Sequence, residues 1–397
     1  MIDSPATRPQ IVLQPGRSRR FRSGHPWVFS NEISMTAEAK ALPPGGLVSI
    51  VDAGGERLGV GTFNPHSLIA IRLLSRNSDT VIDEAFLAGR IAQALTLRQS
   101  LFPAPFYRLI HAEADGLPGL VVDRYGEVIA VQANTAGMEA LLPLLLPALE
   151  TALSPTAIVL KNDSAVRKLE GLELYDRVER GAIEGPIALE ENGAHFFADL
   201  ITGQKTGWFF DQRDNRAAVA AVARGRSVID FYSYAGGFAI QAALAGATRA
   251  VAVDRSEGSL ALAAQSAERN GVALECARAD AFAEMERLTA AGQRFGVVVA
   301  DPPAFVKSKK DLAAGSKGYR KMTRLAAGLV EAGGFLLVAS CSHHMALEAF
   351  AEEVRHGLSQ AGRSGRILRT AGAGADHPLH PWLPESAYLK AMLLQLD

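Results

Sequence analysis

Between residues 227 and 341 short apolar runs recur with amphipathic segments between them: "SVIDF", "RAVAVD", "LECAR", "VVVAD" and "FLLVASC", separated by stretches such as "SLALAAQSAERNG". Runs of this length without polar alternation are buried on both faces, and their alternation with helical periodicity reads as a doubly wound α/β fold around a parallel sheet. Such sheets offer ligands the carboxyl ends of their strands. Residues 11–75 have another rhythm. Their β-rich runs "IVL", "WVFS", "GLVSIVD", "LGVGTF" and "LIAIRLLS" are broken by Gly, Pro and Asn, as in a small β-barrel or sandwich. From about residue 80 a helix, two strands, a second helix across 138–153 and the strand "AIVLKND" make a small α+β unit. The expected domains are therefore 1–75, 76–185 and 186–397.

Length and composition agree with that division, since 397 residues at 48% hydrophobic can fill two or three cores. Cys276 and Cys341, the only cysteines, are too far apart for a metal pair or a disulfide framework. A reducing compartment, the cytoplasm, and no metal are expected. The first 25 residues lack an apolar core segment, and "MEALLPLLLPALETAL" is interrupted by proline short of about 18 clean apolar residues, so no membrane span is expected. Net charge is -1 and gives no overall pull toward a polyanion. Charge is nevertheless clustered: residues 1–22 hold five Arg against one Asp, and residues 305–324 hold seven Lys or Arg against one Asp. Either cluster alone reads as a solvated face.

"VIDFYSYAGGFAI" is a buried strand running through a Gly-containing turn into a helix. Gly236 and Gly237 let backbone approach a ligand while the helix start offers free amides. Eighteen residues after Gly236 the next strand ends at Asp254, where a carboxylate can accept both hydroxyls of a ribose. No third glycine follows to admit a pyrophosphate, so the ligand is a nucleoside without phosphates rather than a dinucleotide. Asp280 in "ARADAF" can hold an adenine amino group, and Asp301 in "DPPAF" is a third acidic strand end. "GQKT" at 203–206 only superficially matches a phosphate-binding loop and is set aside.

These motifs resemble the class I S-adenosylmethionine-dependent methyltransferases. "RSGHPWVFSNEI", "FNPHSLIAIRLLS", "EADGLPGLVVDRYG", "ENGAHFFADLITGQKTGWFFDQRDNR" and "SCSHHM" narrow the likeness to the RlmI-like family, large-subunit rRNA cytosine-5 methyltransferases with an N-terminal PUA domain. The likeness runs from about residue 11 to the end. It implies a Rossmann-like methyltransferase domain at 186–397, a PUA-like RNA-binding barrel at 1–75 and an α+β connector between them. It further implies an S-adenosyl-L-methionine site including Phe209, Asp211, Arg213, Tyr234, Ala235, Gly236, Asp254, Asp280 and Asp301. Large-subunit rRNA is the implied partner, held by Arg19, Arg20, Arg22, Lys307, Lys309, Lys317, Arg320 and Lys321. Monomer and homodimer both stay open.

Cytosine carbon 5 is a weak nucleophile until a thiolate adds at carbon 6 and turns the ring into an enamine. The likeness marks Cys341 as that nucleophile; on chemical grounds Asp301 can hydrogen-bond ring nitrogen 3, and His343, His344 or Lys307 are candidates to favour the thiolate. Cys276 reads as buried filler inside its strand. His377 and His380 fall in a Pro-rich loop that either lines a substrate entrance or is plain turn. Two other readings remain: an N-methyltransferase acting on guanine or adenine through "DPPAF", which needs no cysteine, and a non-catalytic RNA-binding assembly factor.

Overall fold

A computed structural model describes residues 4–203 and 206–397. The set-aside loop at 203–206 includes Gln204 and Lys205, which lie outside the described residues. The chain forms two compact units, one comprising Met1–Gly185, Leu200–Trp208 and Ala375–Pro384, the other Pro186–Asp199, Phe209–Gly374 and Glu385–Asp397. The barrel-like and α+β segments share the first unit, and the second exchanges two short stretches with it in sequence.

In the first unit, strands Gln10–Val12, Gly46–Val51, Arg57–Phe63, Ile69–Ser75 and Trp27–Phe29 form one sheet in that order. It curls around Ile11, Phe21, Val28, Val48, Ile50, Phe63 and Ile71. Gly59 permits this tight curl: at φ +151° it sits so close to the neighbouring strand that a β-carbon would lie 2.5 Å from the Ser75 carbonyl oxygen. The second sheet runs Tyr175–Arg180, Ala157–Asn162, Val128–Ala133, Leu120–Tyr125 and Phe106–His111. The helix Glu84–Leu101 packs on it, with Asp83 accepting the Phe86 N–H at its start.

The crossover helix Ala136–Leu153 joins the parallel strands Val128–Ala133 and Ala157–Asn162. It runs unbroken through Pro143 and Pro147, contrary to the expectation of a proline break, and is long and apolar enough to cross a membrane by length and composition. Each internal proline costs about 3 kcal/mol. Burial of Met138, Leu141, Leu142, Leu145 and Leu149, at roughly 1.5–3 kcal/mol per side chain, outweighs that loss and accounts for the apolar composition.

The second unit is built on seven strands: β1 (Ser227–Phe231), β2 (Arg249–Asp254), β3 (Glu275–Arg278), β4 (Phe295–Ala300), β5 (Val330–Ser340), β6 (Gly365–Ala371) and β7 (Lys390–Leu396). Their order is β3-β2-β1-β4-β5-β7-β6. Strands β1 to β5 are parallel, as the apolar runs predict. Strand β7 is antiparallel to both β5 and β6, a departure from the all-parallel expectation. Helices α1 (Arg213–Ala223), α2 (Gly237–Leu244), α3 (Glu257–Arg269), α4 (Ala281–Ala290), α5 (Leu312–Gly328) and α6 (Leu347–Gln360) cover the sheet. Residue alternation divides the core: Ile229, Val298, Leu336 and Val338 face one side, and Val228, Val297, Val299 and Leu337 face the other. Strand β3 is the edge, so Cys276 is exposed rather than buried filler.

Candidate functional site

The turn between β1 and α2 is held in a bent conformation by three left-handed residues, Tyr232 at φ +63°, Tyr234 at +48° and Gly236 at +75°. Left-handed tyrosines are strained by roughly 1–3 kcal/mol each, so the surroundings must hold them. The holding group is Asp254 at the end of β2. Its Oδ2 accepts the Tyr234 N–H at 2.9 Å, and its Oδ1 accepts the Ser256 N–H at 2.8 Å. Below the turn, Arg216 pairs with Glu191 at 2.7 Å, and Gln241 donates to the same carboxylate at 3.1 Å. Gly237 is required there: a β-carbon would lie 2.5 Å from Arg216 Nε. The hairpin of Ile187–Glu191 and Ala194–Ala198 supplies Glu191, and Asn192 at its tip donates to the Arg213 carbonyl and to Gln241 Oε1. Asn192, Glu191, Arg216 and Gln241 are supports that the sequence alone did not single out.

A further carboxylate lies under this turn. Asp230 is fully buried in β1, and Oδ2 accepts the Ala239 N–H at 3.3 Å, while Oδ1 has no hydrogen-bond partner among the described residues. Burial pushes its pKa well above the ordinary 3.8; the Ala239 N–H opposes the rise, and the charges of Asp301 and Asp254 add to it. An acid raised in the folded state contributes stability that is complete at low pH and lost as pH climbs through the raised value. Asp230→Asn removes that loss. Thermal melts are expected to show the variant gaining on the parent as pH rises to neutrality, by about 2–4 °C for each kcal/mol. A gap that stays constant with pH contradicts the assignment.

Of the other expected cofactor residues, Ala235 is buried in the turn, and Phe209 meets the Tyr234 ring edge-on at 5.3 Å. Burial raises the Tyr234 phenol, with Asp199 and Asp254 adding to the effect. Asp211 is buried and accepts the Tyr388 hydroxyl at 2.6 Å. Arg213 is buried, with its guanidinium 5.5 Å from the Phe210 ring centre. Asp280 caps α4, accepting the Phe282 and Ala283 N–H groups at 3.1 and 3.2 Å, and stays exposed. The residues fit a nucleoside cofactor on two counts. The half-buried Asp254 carboxylate accepts one N–H on each oxygen and keeps lone pairs for a diol. Asp230 Oδ1 and the Tyr232 hydroxyl are buried polar atoms with no partner among the described residues.

At the ends of β4 and β5 two loops are tied together. The Asp301 N–H reaches the Phe231 carbonyl at 3.5 Å, holding the "DPPAF" loop against the end of β1. Cys341, half-buried, is the first residue beyond β5, with its sulfur 3.9 Å from the Pro302 carbonyl oxygen. Next to it, Ser342 Oγ accepts the Val306 N–H at 3.1 Å and shares a hydrogen bond with the Tyr319 hydroxyl at 2.8 Å. The Tyr319 hydroxyl also accepts the Phe305 N–H at 3.4 Å. From β7, Lys390 Nζ donates to the Ser342 carbonyl at 2.6 Å and to the Tyr388 carbonyl at 2.8 Å. Burial pushes this lysine down to about 8, with the Cys341 charge pulling the other way. The exposed His343 ring lies against Tyr388 at 5.3 Å. Tyr319 and Lys390 were missed; a lone Lys in the apolar run "YLKAMLLQL" was the available signal.

The expected RNA contacts fall into two groups. Arg19, Lys307, Lys309 and Lys317 are exposed. The others are engaged within the protein: Arg20 with Glu32 at 2.7 Å, Arg22 with Asp52 and Glu56 at 2.6 and 2.7 Å, Arg320 with Glu353 at 2.7 Å and Lys321 with Glu286 at 3.0 Å. His377 is buried inside the first unit, bonded to Asp376 at 2.8 Å and 5.0 Å from the His111 ring, so it is a core residue of that unit.

A family profile described as an S-adenosylmethionine-dependent methyltransferase matches residues 163–393, and one described as a PUA-like domain matches residues 11–76. Fold and turn thus define an S-adenosylmethionine-dependent methyltransferase with a PUA-like domain. A solved chain from Streptococcus mutans superposes with a TM-score of 0.81 at 18% identity, covering 98% of this chain and all of that one. Another, complexed with SAH, reaches 0.82 over the same shares, also at 18% identity. "Ribosomal RNA large subunit methyltransferase I" of Enterobacter sp. strain 638 is 36% identical over 388 residues, 96% of this chain and 98% of that protein. The protein of the same name from Escherichia coli O157:H7 matches to the same extent. The chain belongs to the ribosomal RNA large subunit methyltransferase I family.

Proposed function

We propose that this enzyme methylates carbon 5 of a cytosine in large-subunit rRNA through a covalent Cys341 adduct. The observation that carries the reading is the seating of Cys341 beside the "DPPAF" loop, its sulfur 3.9 Å from the Pro302 carbonyl, on the sheet edge that also bears Asp301. The names of the relatives support rRNA as the substrate. S-adenosylmethionine, when bound, supplies an electrophilic methyl group. Asp254 would hold its ribose diol, Asp280 its adenine amino group, and Asp211 and Arg213 its amino-acid end, with Phe209 and Tyr234 walling the pocket.

Cys341 as thiolate forms a bond to carbon 6, while Asp301, in its protonated form, donates a hydrogen bond to ring nitrogen 3 and stabilises the negative charge that moves onto the ring. The resulting enamine would take the methyl group onto carbon 5 as the sulfonium–methyl bond breaks and the neutral thioether departs; loss of the carbon 5 proton and elimination would then break the bond between carbon 6 and the Cys341 sulfur and regenerate the thiolate. Incubating unmodified large-subunit rRNA with protein and labelled S-adenosylmethionine, then digesting to nucleosides for mass spectrometry, is expected to give labelled 5-methylcytosine. Label in N-methylguanine or N-methyladenine would instead support the amino-methylating reading. Against that alternative, the Phe305 ring is turned into an aromatic cluster, 4.8 Å from Tyr319 and 6.0 Å from Phe282, and is occupied as packing.

Lys307, Lys309 and Lys317 suit phosphate contacts, because they are exposed and make no ion pair among the described residues. Replacing all three with alanine is expected to flatten the dependence of log affinity on log salt by roughly 2 to 3, near 0.7–0.9 for each lost contact. Filter binding at several salt concentrations measures this. An unchanged slope removes these lysines from the RNA interface.

A further inference from the structure

Lys390 is the charged side chain of β7 whose setting a purely structural role does not explain. It is 6% exposed on a strand whose neighbours Leu389, Ala391, Met392, Leu393 and Leu394 are all buried. It is aligned with Ser340, the last residue of β5, in the antiparallel register. Its ammonium is fixed on the carbonyls of Ser342 and Tyr388. Two carbonyl dipoles only partly offset the several kcal/mol by which burying an ion is disfavoured. A neutral donor would satisfy both carbonyls without that penalty, so the charge calls for an anion nearby. Ser340 and Ser342, the residues on either side of Cys341, are the ones Lys390 meets by register and by hydrogen bond, and a charge on Cys341 acts favourably on it.

We propose that Lys390 is a positioning residue that holds Cys341 in its thiolate form, its ammonium seated on the Tyr388 carbonyl and on the carbonyl of Ser342, the residue that follows Cys341. This rests on the reading of Cys341 as the nucleophile and names a group that readies it. Ionisation sends the thiol proton to solvent, and Lys390 keeps all three of its own. The ammonium then stays in place while sulfur bonds carbon 6 and is again the counter-charge when elimination returns the thiolate. The other titratable groups gathered here are Asp301 at the end of β4, Tyr319 from α5, His343 and His344 after β5, and Tyr388 ahead of β7. The Tyr388 hydroxyl is committed to Asp211, and Tyr319 to Ser342.

The test is the pH dependence of Cys341 alkylation by iodoacetamide in a Cys276→Ser background, followed by mass spectrometry of the Cys341 peptide. Parent, Lys390→Met and Lys390→Arg are compared, with a thermal melt of each. The parent is expected to inflect below the free-thiol value of about 8.5. Lys390→Met should move the inflection up by about one unit, a tenfold slower reaction at pH 7, while Lys390→Arg keeps most of the parent rate. An unchanged profile in a Lys390→Met protein that melts near the parent overturns the proposal. Should the Met variant fail to fold, the parent decides alone: an inflection at or above about 8.5 overturns it. Alkylation needs neither RNA nor cofactor. A low inflection together with methylation that survives Cys341→Ala would therefore uphold the pairing and refute the nucleophile reading.

Discussion

Cys341→Ala is expected to lower 5-methylcytosine formation by about a thousandfold or more, as loss of a covalent nucleophile does elsewhere. S-adenosylmethionine affinity should stay within about twofold, because Cys341 lies beyond β5 whereas the Asp254 turn lies between β1 and α2. The substitution deletes one half-buried sulfur at a strand end, 3.9 Å from the Pro302 carbonyl oxygen, and a thermal melt of the variant separates chemistry from folding. Single-turnover methylation of rRNA, paired with calorimetric titration of the cofactor, reads both quantities. Survival of more than a tenth of the activity would return Cys341 to packing and pass the reaction to the "DPPAF" loop.

Asp254→Ala is expected to weaken S-adenosylmethionine binding by about a hundredfold. Hydrogen bonds to a charged group contribute about 1.5–3 kcal/mol each, and about 2.7 kcal/mol corresponds to that factor. The same carboxylate fixes the left-handed Tyr234 through its N–H, so alanine also releases the strained turn. Asp254→Asn keeps one acceptor oxygen and should fall between the two. Titration calorimetry distinguishes them. Equal affinities for parent, Asn and Ala forms would mean that the ribose is held elsewhere.

The apolar runs made the parallel strands legible, and the acid-ended strands with the Gly236 turn made the nucleoside site legible, because period and spacing are local properties. The direction of β7 was not legible, since "KAMLLQL" is buried whichever way it runs. The fate of Cys276 turned on which strand is the edge, a fact of topology. Asp280 was read as a ligand group and serves visibly as the cap of α4; both uses need the same carboxylate at a strand end. Arg20, Arg22, Arg320 and Lys321 looked like free cations because their carboxylate partners lie twelve to thirty-five residues away in sequence. Lys390 and Tyr319 acquire meaning only when β7 and α5 converge on the residue after Cys341. The family likeness supplied what local physics could not, a reason to propose Cys341 rather than Cys276 as the nucleophile.

The most direct measurement uses large-subunit rRNA transcribed with 5-fluorocytidine, incubated with protein and S-adenosylmethionine and digested with nuclease and trypsin for mass spectrometry. A fluorine at carbon 5 leaves no proton to remove, so elimination stops and the carbon–sulfur bond persists. The predicted result is a methylated fluorocytidine attached to the peptide carrying Cys341. An adduct on any other residue, or none from a preparation that methylates ordinary rRNA, would contradict the account.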